Sequence, residues 1–171
     1  FCVDNNIVTV EHLSKSSIPN TNSCTGSIIR LHKYGIKYNC GQLEAFFTNF
    51  LNSSSSTQFC CSYTIMSLYP DADKSTIVKY MEEKSSKMAY EKFIPCFNYI
   101  RNNLDEMAKH RIMTQLMLTN NLELCKYVQN SVKILTKDKM MANNHAIFKR
   151  VCNEHHKEIV AWIVKLFPDL Y

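Results

Sequence analysis

The chain has 171 residues, with 20 Lys and Arg against 15 Asp and Glu, so its formal net charge is +5. Its 46% apolar and 11% aromatic content excludes a disordered chain, and the length suits one domain with a sizeable core. No run of about 18 apolar residues occurs, so no membrane-spanning helix is predicted, and no basic leader followed by an apolar block indicates a secretory signal.

The first part of the chain alternates between helix and loop signals. Residues 1–13 are predicted to complete a helical pair, so we expect the chain to be a segment of a longer repeat array. Residues 14–27 are polar and contain Pro19 and Gly26, which predicts a loop. A buried helix is predicted over 41–51, where bulky apolar residues recur at spacings of three and four. These residues are Leu43, Phe46, Phe47, Phe50 and Leu51.

The middle of the chain continues the helical pattern with several breaks. Residues 52–57, NSSSST, predict a flexible connection, and the apolar run 59–69 follows it. Asp73 is predicted to cap a helix over 74–83, and a polar break at 84–87 follows that helix.

Proline and asparagine set the predicted boundaries of the next helices. Pro95 lacks an N–H group and should end or kink a helix near Ile94. The pair Asn102-Asn103 is predicted to cap the helix that follows. That helix is expected to include Leu104, Met107 and Ala108.

The last third of the chain predicts two short helices joined by a tight polar turn. Apolar residues gather on one side over 146–152 and again over 159–166, whereas 153–156 contain none. Residues 131–144 are predicted to lead into this pair, and Phe167-Pro168-Asp169 to end its second helix. A pair this short cannot bury its apolar side alone, so we expect neighbouring pairs to cover it.

The turn and second helix of this pair recur along the chain. Four copies share a polar turn followed by the same order of apolar positions, and successive copies are separated by 68, 47 and 35 residues. Since 68 is two steps of 34, the spacing predicts repeats of two helices each. A further copy is expected near Cys40, in one of two registers that differ by two residues. The interval of 47 indicates an insertion or a degenerate copy near 103–106. The turns are Asn5-Asn6, Lys74, Asn120-Asn121 and His155-His156, and the last apolar positions are Leu13, Met81, Val128 and Ile163.

Two of these copies resemble a known repeat family. The sequences NNLELCKYV at 120–128 and HHKEIVAWI at 155–163 are similar to the second helix of ankyrin repeats, most of all the divergent repeats of large DNA viruses and some protists. Asn120 and His155 stand where that family has a turn glycine. The resemblance implies an all-α solenoid of stacked antiparallel helix pairs, about five of them, in a single domain over 1–171. With three glycines in the chain, β-hairpin fingers are expected to be reduced or absent.

The resemblance also implies a function. Ankyrin-like proteins are binding scaffolds that have no reaction of their own and present first helices and loop tips to another protein. We therefore expect no enzyme activity, no cofactor and no metal, and an intracellular, cytoplasmic protein. Candidate partner-binding residues lie in the polar segments between helix pairs. They are Lys84, Lys87, Lys133, Lys137 and Lys139.

The eight cysteines are predicted to be reduced. They are spread too thinly for a small disulfide scaffold, and Cys2, Cys125 and Cys152 fall on repeated positions that are expected to be buried. The adjacent Cys60-Cys61 is interpreted as part of the core because no Cys-x-x-Cys motif occurs. Reduced cysteines support the prediction of an intracellular protein.

One cluster has the residue types that bind metals. Cys152, His155 and His156 lie close in sequence, with His145 one helix earlier, and a break at the turn would let them approach one another. The same turn elsewhere contains Asn-Asn, however, and no second Cys or His pair at zinc spacing lies nearby. We therefore favour turn-capping histidines and a buried thiol over a metal site or an enzyme.

A basic all-α nucleic-acid-binding domain is the alternative function. The net charge of +5 and the cluster Lys133, Lys137 and Lys139 favour it. Aromatic residues exposed among the basic ones would strengthen this hypothesis, but the aromatic residues are predicted at core positions. Solvated lysines and a protein partner are therefore the favoured interpretation.

Overall fold

The fold consists of α-helices joined by short turns. The computed structural model describes residues 24–52 and 58–170, with side chains at 29–52, 62–141 and 145–169. No strand occurs in these ranges, and the prediction of an all-α protein is confirmed. The helices are α1 (Cys24–Lys33), α2 (Cys40–Asn52), α3 (Gln58–Leu68), α4 (Ser75–Lys84), α5 (Tyr90–Ile100), α6 (Glu106–Leu118), α7 (Leu122–Val132), α8 (Lys137–Asn153) and α9 (Lys157–Leu166), with 3₁₀ turns at Ser85–Lys87 and Pro168–Leu170.

The chain divides into two compact units, Phe1–Ile77 and Val78–Tyr171. The boundary falls inside α4, and each unit has buried apolar residues of its own. The expectation of one continuous repeat domain over 1–171 stays a prediction, as does the number of five helix pairs.

In unit 1, α3 packs against both α1 and α2. The predicted helix over 41–51 is confirmed as α2, because its apolar residues at spacings of three and four point into the core. Phe46 is half-buried and stacks on Phe50 with 6.5 Å between ring centroids. The buried residues of α2 are Leu43, Phe47, Phe50 and Leu51.

Two further predictions in unit 1 have different outcomes. The loop predicted over 14–27 is wrong for its last four residues, because α1 begins at Cys24. The helix cap predicted at Asp73 is confirmed, since its Oδ1 accepts a hydrogen bond of 2.9 Å from the N–H of Ser75. Predictions for 1–23 and 53–57, and for the Cys60 and Cys61 side chains, lie outside the described residues.

Unit 2 contains two helical hairpins side by side. Helix α6 pairs with α7, helix α8 pairs with α9, and α6 also packs against α8. Among the repeated apolar positions, Leu124 and Val128 of α7 and Ile159 and Ile163 of α9 are fully buried, whereas Tyr127, Val160 and Trp162 are half-buried. Leu124 and Val128 are four residues apart, as are Ile159 and Ile163, and this spacing places both side chains on the inner face of the helix.

The two hairpins have the same turn, 35 residues apart. In α6–α7 the N–H of Asn121 donates to the C=O of Leu116, and in α8–α9 the N–H of His156 donates to the C=O of Val151. The preceding residues have left-handed backbones, with φ of 56° at Asn120 and 58° at His155. This is the Schellman arrangement, whose left-handed residue is most often glycine. Asn120 and His155 therefore occupy the position that glycine most often takes in this turn.

Helix α8 is longer than the sequence analysis predicted. Residues 137–144 were expected to connect into the final pair, but the helix begins at Lys137. Thr136 caps it, because its side-chain oxygen accepts a hydrogen bond from the N–H of Lys139. The expected start near 144 coincides with His145, whose φ of 58° interrupts regular helical geometry within α8.

Two predicted boundaries before α6 are wrong: the end of a helix near Ile94 and the cap at Asn102-Asn103; a kink at Pro95 stays a prediction. Helix α5 continues through Pro95, although an internal proline costs about 3 kcal/mol or more. Burial of each large apolar side chain contributes about 1.5–3 kcal/mol, and Phe93, Phe97 and Ile100 of α5 are fully buried, which offsets that cost. The cap of α6 is Asp105 rather than Asn102-Asn103, because its Oδ1 accepts a hydrogen bond of 2.7 Å from the N–H of Ala108.

A substitution in the core of α9 tests the packing of the last hairpin. Ile159→Ala should lower the free energy of unfolding by about 2–5 kcal/mol, because it leaves a cavity in a fully buried position. Urea denaturation followed by the fluorescence of Trp162, the chain's one tryptophan, measures this change. Leu166→Ala on the same helix is the control; that side chain is 39% exposed, and its loss should cost about 1 kcal/mol or less. Equal losses in the two variants would contradict the buried position of Ile159.

A glycine substitution tests the left-handed turn. His155→Gly should raise the free energy of unfolding by up to about 1 kcal/mol, because an L-residue pays about 1–2 kcal/mol for this conformation. Glu154→Gly should instead lower it by about 0.5–1 kcal/mol, since Glu154 has an ordinary φ of −79° and glycine only adds flexibility there. Urea midpoints of the two variants should therefore move in opposite directions, and a shared direction would argue against the turn.

Candidate interaction groove

An open groove runs along one face of α6 in unit 2. Its volume is about 410 Å³, and its walls come from the end of α4, from α6 and the residue after it, and from α8. Most of the residues that line it have polar or charged side chains. The lining residues are Glu82, His110, Arg111, Thr114, Gln115, Leu118, Thr119 and Arg150.

The sequence of α6 explains why this helix borders both the core and the groove. The residues on one side, including Ile112 and Leu116, have no exposed surface. Residues on the other side, such as Arg111 and Gln115, repeat the same spacing of four and line the groove. Both stripes follow the helical period, so each side chain of α6 is directed to one of the two environments.

The wall between α4 and α6 is fixed by the side chain of Gln115. Its Nε2 donates to the C=O of Glu82 at 3.3 Å, and its Oε1 accepts from the Oγ of Ser86 at 3.0 Å. The amide thus ties α6 to the end of α4 and to the 3₁₀ turn that follows. Glu82 and Gln115 are 33 residues apart, a separation close to the repeat step seen in the sequence.

Arg111 and Arg150 are the two arginines of the groove, and both are exposed. The Nη1 of Arg111 lies 3.4 Å from the Oε1 of Glu82, and its Nη2 donates to the Sδ of Met107 at 3.2 Å. Within the described part of the chain, no hydrogen bond or ion pair involves the guanidinium group of Arg150. The groove therefore presents cationic groups with few strong internal partners.

The carboxylate of Glu106 joins α6 to α8 outside the groove. Glu106 accepts a hydrogen bond of 2.8 Å from Lys109, and its other oxygen accepts from Lys139. Both hydrogen bonds lower the pKa of the Glu106 carboxyl, which falls to about 2. The bond from Lys109 has the larger effect and the bond from Lys139 the next largest. Glu106 and Lys139 are 33 residues apart, the same separation as between Glu82 and Gln115. This bond therefore aligns the starts of α6 and α8.

The structure places the lysines predicted to bind a partner in several environments. Lys139 bonds Glu106, Lys137 lies 4.0 Å from Asp169, and the Nζ of Lys84 lies 5.3 Å from the centre of the Tyr80 ring. Lys87 is exposed at the end of the 3₁₀ turn, and Lys133 is exposed in the left-handed residue that ends α7. None of the five lines the groove. They stay predicted partner contacts.

The four residues of metal-binding types are distributed over one helix and the turn that follows it. They are His145, Cys152, His155 and His156. His155 is exposed, and the Nε2 of His156 lies 2.9 Å from the C=O of Leu118 at the end of α6. His156 occupies the N-cap position of α9 but makes no side-chain cap bond, so the predicted capping role is wrong for its ring. Cys152 is half-buried rather than buried. Across the described residues, no three His, Cys, Asp or Glu side chains form a group able to hold a metal ion.

The other described cysteines differ in exposure. Cys96 and Cys125 are fully buried free thiols, and burial raises the pKa of each to about 12. Thiols with so high a pKa are poor nucleophiles, so these two act as small apolar core residues. Cys40 is an exposed free thiol at the start of α2.

A smaller cavity of about 290 Å³ lies in unit 1, next to the end of α3. His32 and Tyr69 line it and pack edge to face, with 5.5 Å between ring centroids. The Tyr69 hydroxyl also accepts a hydrogen bond of 2.9 Å from the N–H of Tyr38. The polar groups of this cavity therefore support the local fold.

The comparisons with known proteins add no relative. Models of known protein families, curated proteins and solved structures all give no match to this chain. Within the described ranges, no helix is both long enough and apolar enough to cross a membrane.

The sequence analysis did not identify the groove residues Glu82, His110, Arg111 and Arg150 as a site. The local signal was present in α6, where polar residues recur at spacings of three and four opposite the apolar stripe. The partners on α4 and α8 could not be assigned, because the repeat pattern is weakest over 84–116. Glu82 and Gln115 are 33 residues apart, so an alignment of the chain with itself at that step would have placed Glu82 opposite Gln115.

The pH dependence of stability tests the ion pairs of Glu106. A pKa lowered from 4.5 to about 2 means that the carboxylate stabilises the fold above pH 4.5 and loses this effect as the pH falls toward 2. Glu106→Gln should therefore reduce stability at about pH 7, and its difference from the parent protein should shrink below pH 4.5 in urea denaturation.

Glu123→Gln is the matched control for this experiment. Glu123 also lies in the first turn of its helix, but within the described residues it has no lysine partner. Glu123→Gln should therefore alter the pH dependence of the free energy of unfolding less than Glu106→Gln does. An equal change in both variants would assign the effect to the helix N-terminus instead of to Lys109 and Lys139.

Proposed function

We propose that the chain is a non-catalytic protein–protein interaction scaffold built from ankyrin-like repeats. The observation that carries the proposal is the repeated hairpin of unit 2. The hairpins α6–α7 and α8–α9 have the same Schellman turn at an interval of 35 residues, with left-handed residues at Asn120 and His155. The first helices of the two hairpins also contact each other, as stacked repeats require.

Several bonds between the hairpins support stacking in register. Glu106 and Lys139 join the starts of α6 and α8, and His156 joins the second turn to Leu118 at the end of α6. The two ends of α6 are therefore both connected to the neighbouring hairpin. Stacking in register places the outer face of each first helix on one common surface, which suits recognition of another protein.

The groove along α6 is the best candidate for that surface. It lies on the first helices α6 and α8 and on the end of α4, and the apolar residues of α6 are in the core. Its two arginines are accompanied by Glu82, and Lys109 and Lys139 share Glu106. This mixture of charges favours a protein partner over a nucleic acid, whose phosphates select a continuous basic surface.

Site-specific photocrosslinking tests the proposal. A photoreactive benzoyl-phenylalanine at Thr119, which is exposed beside the groove, should form adducts with a discrete protein in extracts of the source cell. The same group at Lys126, exposed on α7 and not in the groove lining, is the matched control and should give weaker adducts.

Two results would overturn the proposed function. One is adduct formation at Thr119 no stronger than at Lys126, which would mean that the groove does not select a partner. The other is loss of the Thr119 adducts after nuclease treatment, which would favour the nucleic-acid-binding alternative.

A further inference from the structure

We propose that the groove along α6 receives an acidic peptide segment of the protein partner, with carboxylates bound by Arg111 and Arg150. This inference rests on the proposed scaffold function and specifies the chemistry of the partner. Both arginines line the same groove and are exposed. A guanidinium group binds a carboxylate through two parallel N–H···O bonds, so the two arginines favour an anionic segment over a neutral one.

The contacts of Arg111 show why it is available to a partner. Its guanidinium has five N–H donors, but the bond to Glu82 is 3.4 Å long, compared with about 2.7–2.9 Å for a strong charged pair. Its other contact is to the thioether of Met107, which is a weak acceptor. A carboxylate from a partner therefore offers Arg111 a stronger bond than either residue provides.

The charge around Arg150 leads to the same conclusion. No side chain in the described ranges pairs with its guanidinium. Among the residues that line the groove, two arginines accompany one carboxylate, that of Glu82. The groove thus keeps a net positive charge, which attracts an acidic segment.

The exposed Met107 adds an apolar surface beside Arg111. Met107 of α6 is 62% exposed, and the Nη2 of Arg111 donates to its Sδ at 3.2 Å. Methionine side chains adapt to varied apolar surfaces. The segment that fits this face is therefore acidic with interspersed aliphatic residues.

Fluorescence anisotropy with a short labelled peptide of alternating Glu and Leu tests the proposal on the full chain. The peptide should bind, and Arg150→Gln and Arg111→Gln should each weaken binding about tenfold, as expected for loss of a charged hydrogen bond. Lys126→Gln removes the same charge from an exposed position on α7 and should change the Kd less than about twofold, because salt largely screens long-range attraction between exposed charges. Circular dichroism should show equal helix content in all variants.

The controls define the results that overturn the inference. A Lys and Leu peptide of equal length should not bind, and a single-stranded oligonucleotide should bind more weakly than the acidic peptide. The inference fails if the acidic peptide does not bind at about 1 mM, or if Lys126→Gln weakens binding as much as Arg150→Gln. It also fails if the oligonucleotide binds more tightly and loses affinity in both arginine variants.

Photocrosslinking separates this failure from failure of the scaffold function. If Thr119 still forms adducts with a discrete protein while the acidic peptide fails to bind, the groove is an interaction surface for a partner of other chemistry. If Thr119 forms no adducts, the scaffold function and the acidic-segment inference both fail.

Discussion

The structure of unit 2 depends on the way a short helical hairpin must bury its apolar stripe. A pair of helices of 10–17 residues has too little internal contact to be stable alone, so each hairpin needs a neighbour. Helix α6 meets this requirement for both hairpins, because it packs against its own partner α7 and against α8. With one side of α6 committed to the core, the opposite side is left to form the groove. The groove is therefore a consequence of the packing that holds the hairpins together.

The turns determine how the hairpins align. A left-handed residue at the same place in each turn sends the second helix back along the first in the same way. Asn is tolerated in this conformation because its short polar side chain bonds locally, whereas His155 has no such advantage. The backbone hydrogen bonds of the turn offset that cost, since they satisfy carbonyl groups at the end of the helix. Similar turns thus form from dissimilar residues, which makes the likeness of the two hairpins hard to see in the sequence.

The sequence predicted the elements whose stability comes from local pattern. Helix α2, the turn at 153–156 and the buried positions of α7 and α9 follow directly from helical spacing and turn chemistry. Other features depend on contacts between distant residues. Helix α5 continues through Pro95 because burial of its aromatic residues outweighs the lost hydrogen bond, and no local pattern reports that balance. The groove was missed for the same reason, because α6, Glu82 and Arg150 meet only in the folded chain.

The bond between His156 and Leu118 has a consequence for how the two hairpins of unit 2 unfold. It joins the turn of the last hairpin to the end of the helix before it, so the last hairpin cannot fray without exposing that carbonyl. Helix ends in an isolated hairpin open independently, whereas a tie between turns makes loss of one hairpin weaken its neighbour. Repeat proteins with strong coupling between neighbours melt in a single transition. A single imidazole at a turn thereby contributes to the cooperativity of unfolding as well as to local order.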